Sequence, residues 1–144
     1  MSEYHNTKAE DRVPLGQKLA VGAGGFPIQN GGLIVQYMAQ PIFQIFLGLN
    51  PALFGLAMTI PRIWDAFTDP VMGRISDRTH SRYGRRRPYV FVGSLAVALT
   101  FLTIWMVPQS MGDTGTFLWL TVGSVLFFTA FTIFSVPFNA LVYE

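Results

Sequence analysis

The stretch RIWDAFTDPVMGRISD, residues 62–77, places charged side chains inside a chain that is otherwise largely apolar. At about 100° per residue on an α-helix, Asp65 lies at about −60° and Asp69 at about −20° from Arg62. The three charged residues therefore share one narrow face, while apolar residues such as Ile63 and Phe67 lie on the other side. This pattern predicts a helix with a charged stripe along one face.

The rest of the chain is too apolar for an ordinary soluble domain. Of its 144 residues, 51% are hydrophobic and 12% are charged, whereas a soluble domain carries about 25% charged residues. Asp, Glu, Lys and Arg are absent from residues 19–61, 88–112 and 114–143. A membrane-spanning helix needs roughly 20 mostly apolar residues, so the first gap accommodates one span and the outer half of a second, and each of the others accommodates one. We predict an all-α membrane protein with four transmembrane helices.

The basic residues predict how these helices are oriented. The loop at 74–88 has six arginines and one acid, and the N-terminal tail, 1–17, is polar, whereas the opposite loops near 49–51 and 108–116 lack Lys and Arg. Under the positive-inside rule, the tail and the basic loop are cytoplasmic. We therefore predict a multi-pass protein of the plasma (inner) membrane that does not bind nucleic acid. The predicted transmembrane helices are at about 18–47, 52–73, 89–107 and 117–142.

The charged stripe is costly in this environment. A charged group inside a bilayer costs at least about 2.5 kcal/mol, so such groups usually face a bundle interior or a water-filled cavity and serve a function. Two carboxylates at positions i and i+4 can share one cation or one proton, which suits an ion-coupled transporter. The alternative is a structural ion pair between Arg62 and Asp65, with Asp69 at the membrane interface.

The same residues carry a resemblance to a known family. The motif Arg62-Ile-Trp-Asp-Ala-x-x-Asp-Pro-x-Met-Gly resembles the second-helix signature of the glycoside–pentoside–hexuronide cation symporters, the melibiose-permease-like branch of the major facilitator superfamily. The segments at 73–88 and 136–141 resemble the following loop and the end of the fourth helix. The resemblance implies a cation-coupled sugar or glycoside symporter with twelve helices, of which this chain is the N-terminal portion. The lipid bilayer and the remaining helices are then its partners.

The resemblance also implies roles for individual residues. Asp65 and Asp69 match the carboxylates that bind the coupling cation, and they are the metal ligands if that cation is Na⁺ rather than H⁺. Thr132 matches a helix-four threonine that can join them, and Thr68 stands where some members have an asparagine ligand. Arg62 matches an arginine near the site; it is expected to contact the substrate, and it can pair with a carboxylate when no cation is bound. No other cofactor is implied.

The expected substrate residues depart from the family pattern. Gln29 and Ser135 align with the two acids that hold the sugar in melibiose-permease-like proteins, and Asn139 matches a position near the sugar. Gln29 and Ser135 can still hydrogen-bond a hydroxyl, but neither is a charged acceptor, which binds more strongly. These departures favour a sugar or glycoside other than a typical galactoside. For Gln29 and Asn139, the alternative is a hydrogen bond between helices.

The basic loop is expected to control conformation. In the superfamily, an acid at the position of Asp77 can cap another helix, and the arginines can pair with acids across the interface between halves, which favours the outward-open state. The alternative is a role in topology and attraction to anionic lipid. The residues concerned are Gly73, Asp77, Arg78, Gly84, Arg85 and Arg86.

Two other classes of protein are considered. One is a small four-helix membrane protein that acts as a dimer or does not transport. The other is an intramembrane enzyme that binds a Mg²⁺-diphosphate, which would need a second acidic motif. The sequence has no such motif, so we expect no enzymatic activity.

Overall fold

The protein is a bundle of long helices without strands in the described part of the chain. The computed structural model describes residues 14–79, 86–108 and 111–142. Helix α1, Leu15–Ala39, continues into a π-helical segment, Gln40–Phe46. Three further helices follow: α2, Pro51–Arg78; α3, Arg87–Trp105; and α4, Asp113–Val142.

Proline and its neighbours mark the helix boundaries. Pro41 has no N–H to donate, and the helix widens there, so that the Leu47 N–H donates to the Ile42 carbonyl five residues back, at 3.0 Å. The chain then turns at Gly48, where φ is +69°. Asn50 caps α2, because its side chain accepts from the Ala52 N–H at 2.9 Å. The first two helices are therefore joined by a short, well-defined turn.

The basic loop is shorter than the sequence predicted at both ends. Residues 74–88 were expected to form the loop, but α2 extends to Arg78 and α3 begins at Arg87. No glycine or proline interrupts α2 between Gly73 and its end, and Pro88 is favourable in a first helical turn, where its missing N–H costs nothing. Gly84 and Arg85 lie outside the described residues.

Among the residues that the structure describes, two helices, α3 and α4, are long and apolar enough to cross a membrane. This statement rests on length and composition alone. Four spans were predicted. Glycine and glutamine lower the hydropathy of α1, and the charges of the stripe lower that of α2. Many large apolar side chains are nevertheless exposed on these two helices, as for Phe26 at 68% and Phe67 at 67%.

The buried core lies at the end of the bundle where α1 meets α2 and α3 meets α4. It contains residues from every helix, with Phe43 and Trp105 in contact at 6.4 Å between ring centroids. The backbones of α3 and α4 approach closely at Gly93. A Cβ atom there would lie 2.7 Å from the Phe134 backbone nitrogen, so only glycine fits without a shift. Helix α4 thus packs against α3 on one side and against α2, which carries the charged stripe, on another. Its fully or nearly fully buried members are Val35, Ala39, Phe43, Leu49, Ala57, Ile104, Leu120, Phe127 and Phe128.

Candidate cation and substrate site

The charged stripe of α2 faces a cavity of about 270 Å³. Helices α1, α2 and α4 enclose it, next to the buried core, and we call it the polar cavity. It brings together six of the eight residues that the sequence analysis named as cation or substrate ligands. These six are Gln29, Arg62, Asp65, Asp69, Thr132 and Ser135.

The two carboxylates of the polar cavity have different surroundings. Asp69 Oδ1 accepts a hydrogen bond from the Thr132 hydroxyl at 2.8 Å, which links α2 to α4. Thr132 is buried. Asp65 is half-buried, and its Oδ1 is shielded from solvent without accepting a hydrogen bond from any described residue. A buried carboxylate oxygen without a partner is unfavourable. A cation or a proton bound at Asp65 Oδ1 would therefore stabilise this oxygen.

These oxygens fit a small hard cation or a proton. Carboxylate and hydroxyl oxygens are the ligands that hard cations prefer, and the polar cavity offers both types from two helices. Among the described residues there is no cluster of three or more acids, histidines or cysteines. Any further ligand from this part of the chain must therefore be a neutral oxygen, such as those of Gln29 and Ser135, which also line the polar cavity.

Arg62 does not pair with either aspartate in the described part of the chain. One of its N–H groups donates to Gln36 Oε1 on α1 at 3.1 Å. Its guanidinium carbon lies 5.2 Å from the centre of the Phe128 ring on α4, within the range of a cation–π contact. Arg62 also lines a second cavity of about 230 Å³, so it borders both cavities.

Two of the expected ligands do not line the polar cavity. The Thr68 hydroxyl donates to the Trp64 carbonyl at 3.2 Å and lies 3.4 Å from the Asp65 carbonyl. It is thus bonded to its own helix, as is common for threonine in a helix interior. Asn139 is exposed, one turn beyond Ser135 on α4, and does not contribute to the lining.

The described parts of the basic loop connect α2 to α3. Asp77 Oδ1 and Arg86 form an ion pair at 2.6 Å, and the hydroxyls of Thr79 and Tyr89 are hydrogen-bonded at 2.7 Å. Asp77 therefore pairs with an arginine of the same loop in this structure. Gly73 lies beside α4, where an added Cβ would meet Val136 at 3.9 Å, an ordinary contact distance.

Some residues of the site were not singled out as ligands from the sequence. Gln36 and Phe128 hold Arg62, and the Trp64 indole N–H donates to the Thr129 hydroxyl at 2.9 Å. A usable signal was present for Trp64, because an indole N–H in an apolar environment usually finds an acceptor. Spacing alone does not identify which acceptor on another helix it finds.

A charged cavity enclosed by apolar helices is characteristic of a membrane transporter, because charges within a bilayer usually face such an interior. Comparison with known families agrees. The family of MFS/sugar transport proteins matches residues 20–144. The chain belongs to this family, which is a family of cation symporters in the major facilitator superfamily. The family is one of transporters, and membership implies a multi-pass membrane fold.

Relatives within the family have names that differ in substrate. The chain is 34% identical to an uncharacterized symporter of Synechocystis over 133 residues, 88% of this chain and 24% of the relative. It is 29% identical to the sodium-dependent lysophosphatidylcholine symporter 1 of Gallus gallus over 135 residues, 93% of this chain and 25% of the relative. It is 28% identical to an Escherichia coli protein named as glycoside/cation symporter YagG over 127 residues, 88% of this chain and 26% of the relative. The chain thus spans about a quarter of the length of these relatives.

Proposed function

We propose that this chain is the N-terminal part of a cation-coupled symporter and that Asp65, Asp69 and Thr132 bind the coupling cation, Na⁺ or H⁺. The observation that carries the proposal is the polar cavity itself. Two carboxylates from α2 and a hydroxyl from α4 meet there, and one carboxylate oxygen is buried without a hydrogen-bond partner among the described residues.

The charge balance of the polar cavity supports coupling. Its lining has two acidic side chains and one arginine, which leaves a net charge of −1 when all three are ionised. One monovalent cation or one proton brings that charge to zero. Because net charge in a low-dielectric site is costly, the loaded cavity is better suited to a conformational change across the membrane than the empty one. This is the physical basis for coupling cation binding to transport.

The same cavity supports a sugar or glycoside as the substrate. Gln29, Ser135 and Arg62 line it and supply hydrogen-bonding groups that can bind sugar hydroxyls. Asn139 and Thr68 do not line the cavity, so we do not include them among the proposed ligands. The rest of the substrate site would come from the remaining helices of the transporter, since transporter sites lie between repeats near the bilayer midplane.

A lysophospholipid is the second candidate substrate. Relatives named as lysophosphatidylcholine symporters raise it, and so does an apolar cavity of about 370 Å³ between α1, α3 and α4. Phe131 lines both this cavity and the polar cavity. A molecule with a polar head and a hydrocarbon chain could therefore contact both sides of this ring.

We propose the membrane arrangement that the sequence analysis predicts. All four helices span the plasma (inner) membrane, with the N-terminus and the basic loop in the cytoplasm. In this arrangement α1 and α2 face the other helices of the transporter with their polar sides, which explains why they are less apolar than α3 and α4. In this arrangement, Asp77 and the basic loop lie at the cytoplasmic surface of the membrane.

Uptake by the complete transporter in proteoliposomes tests this function. Labelled glycosides and labelled lysophosphatidylcholine should be offered separately, each with a Na⁺ gradient or a pH gradient. We expect one substrate class to be taken up with one cation, and we expect Asp65→Asn to abolish that dependence. Asp113→Asn is the matched control, because Asp113 is an exposed acid at the start of α4, away from the polar cavity. Unchanged coupled uptake in Asp65→Asn would contradict the proposed cation site.

A further inference from the structure

In the described part of the chain, two hydrogen bonds between side chains join helices α2 and α4. One is the bond from Thr132 to Asp69, which lies in the polar cavity. The other runs from the Trp64 indole N–H to the Thr129 hydroxyl at 2.9 Å. Trp64 lies one residue before Asp65, and Thr129 lies three residues before Thr132. Neither Trp64 nor Thr129 is part of the lining of the polar cavity.

The second bond has a fixed direction. The Thr129 hydroxyl donates its proton to the Val125 carbonyl at 2.7 Å, so only its lone pairs are available to Trp64. An indole N–H can only donate, and a hydroxyl with its proton committed can only accept. Neither group titrates at ordinary pH and neither is a cation ligand. A cation or a proton that binds to the aspartates therefore does not compete for either partner of the bond between Trp64 and Thr129.

The proposed cation site depends on the relative position of the two helices. Its carboxylates come from α2 and its hydroxyl comes from α4, so a slide or rotation of either helix changes the distances between the ligand oxygens. A functional site needs its ligands held within about 0.5 Å of the working geometry. The bond from Thr132 to Asp69 joins two of the proposed ligands themselves, so it does not fix their positions independently of the cation.

We propose that Trp64 and Thr129 are positioning residues that hold α2 and α4 in the register that the cation site needs. This inference rests on the proposed function, because the bond between Trp64 and Thr129 lies outside the polar cavity and acts only by positioning the proposed cation ligands inside it. The Trp64 side chain is 47% exposed, so its packing within this chain is modest. The indole N–H, rather than burial of the ring, is the feature that links it to α4.

The test uses Trp64→Phe and Thr129→Val in the complete transporter. Each removes one partner of the bond and keeps most of the side-chain shape. The readout is the cation concentration that gives half-maximal uptake, measured at saturating substrate. We expect it to rise by about 2- to 10-fold in each variant, the effect of losing one neutral hydrogen bond. We expect the half-saturating substrate concentration at saturating cation to stay unchanged.

Two control variants match these substitutions. Thr121→Val removes a hydroxyl that donates to the Phe117 carbonyl at 2.7 Å on the same helix, as Thr129 does to its own helix, but no described side chain donates to it. Trp119→Phe removes an indole N–H that has no hydrogen-bond partner among the described residues. Both controls should keep the cation dependence of the unmodified protein. Thr129→Ser keeps the acceptor oxygen and should also behave like the unmodified protein.

The combination of variants distinguishes the possible outcomes. The double variant Trp64→Phe/Thr129→Val should match the single variants, because both remove one shared bond; effects that add would overturn the proposal. Cation dependence unchanged in the single variants would also overturn it, while leaving the proposed function intact. Uptake without any cation dependence in the unmodified protein would overturn both. If a variant accumulates poorly, the cation-induced shift in melting temperature of the purified protein replaces uptake as the readout.

Discussion

The hydroxyl of Thr132 is the most direct way to test the proposed cation site. Thr132→Val keeps the shape of a buried side chain and removes its oxygen. In the structure this hydroxyl donates to Asp69 at 2.8 Å. A hydroxyl has one proton and two lone pairs, so it can keep this bond and still contact a cation held by the same carboxylate. The substitution therefore removes a ligand that is used only when the cation is bound.

The expected size of the effect follows from that contact. A hydrogen bond or polar contact to a charged group is worth about 1.5–3 kcal/mol. At about 1.4 kcal/mol per factor of ten, loss of the Thr132 contact should raise the half-saturating cation concentration by about 10- to 150-fold. The hydrogen bond to Asp69 is present with and without the cation in this scheme, so its loss largely cancels.

The assay is cation-dependent uptake by the complete transporter at saturating substrate, together with cation-induced thermal stabilisation of the purified protein. Thr121→Val is again the matched control, because the Thr121 hydroxyl donates only to the Phe117 carbonyl among the described residues. It makes the same chemical change on the same helix without touching Asp69. We expect the control to keep the unmodified cation affinity.

The direction of the change can refute the reasoning as clearly as its absence. If Thr132 only stabilised the empty carboxylate, its loss would destabilise the empty site and tighten cation binding. A lower half-saturating concentration in Thr132→Val would therefore exclude Thr132 as a ligand. An unchanged value would show that the Thr132 hydroxyl does not contact the bound cation.

Two further predictions concern the packing of the bundle. Gly93→Ala should lower the free energy of unfolding by about 1–3 kcal/mol, because its Cβ would meet the Phe134 backbone nitrogen at 2.7 Å. The control is Gly55→Ala, whose Cβ meets nothing within 4 Å. Equal melting temperatures of the two variants in detergent would contradict the close contact at Gly93. A double-mutant cycle on Asp77 and Arg86 should give a coupling energy of about 0.2–1 kcal/mol that falls with added salt. The pair is weak and screened because the Asp77 side chain is 61% exposed. Zero coupling at low salt would show that the pair does not stabilise the loop.

The sequence predicted the charged stripe well, because the face of a helix depends only on spacing. Arg62, Asp65 and Asp69 were placed on one face, and all three line the polar cavity. The two residues from α4 that join them, Thr132 and Ser135, could not be found by spacing within α2. The family resemblance supplied them, since it carries information about which helices meet.

The partners of individual side chains were not predictable in the same way. Arg62 was expected to be able to pair with a carboxylate, yet it donates to Gln36 and lies over Phe128. A long flexible side chain reaches several neighbours, and its choice depends on the packing of three helices. The bond between Trp64 and Thr129 was also not predictable, because it joins side chains of two helices and depends on how those helices pack together.

The glycines of α1 have a physical role that the sequence pattern alone did not assign. A Cβ atom at Gly31 would lie 2.8 Å from the Phe131 ring, and one at Gly32 would lie 3.4 Å from the Phe128 ring. The distance at Gly32 is an ordinary contact, whereas the one at Gly31 is too short for a Cβ, so the absence of a side chain at Gly31 lets α1 lie against Phe131 of α4. Gln29 on the same helix lines the polar cavity, and a larger residue at Gly31 would push α1 and Phe131 apart. The glycine content of α1 is therefore part of how the site is enclosed, in the same way that the bond between α2 and α4 is part of how it is positioned.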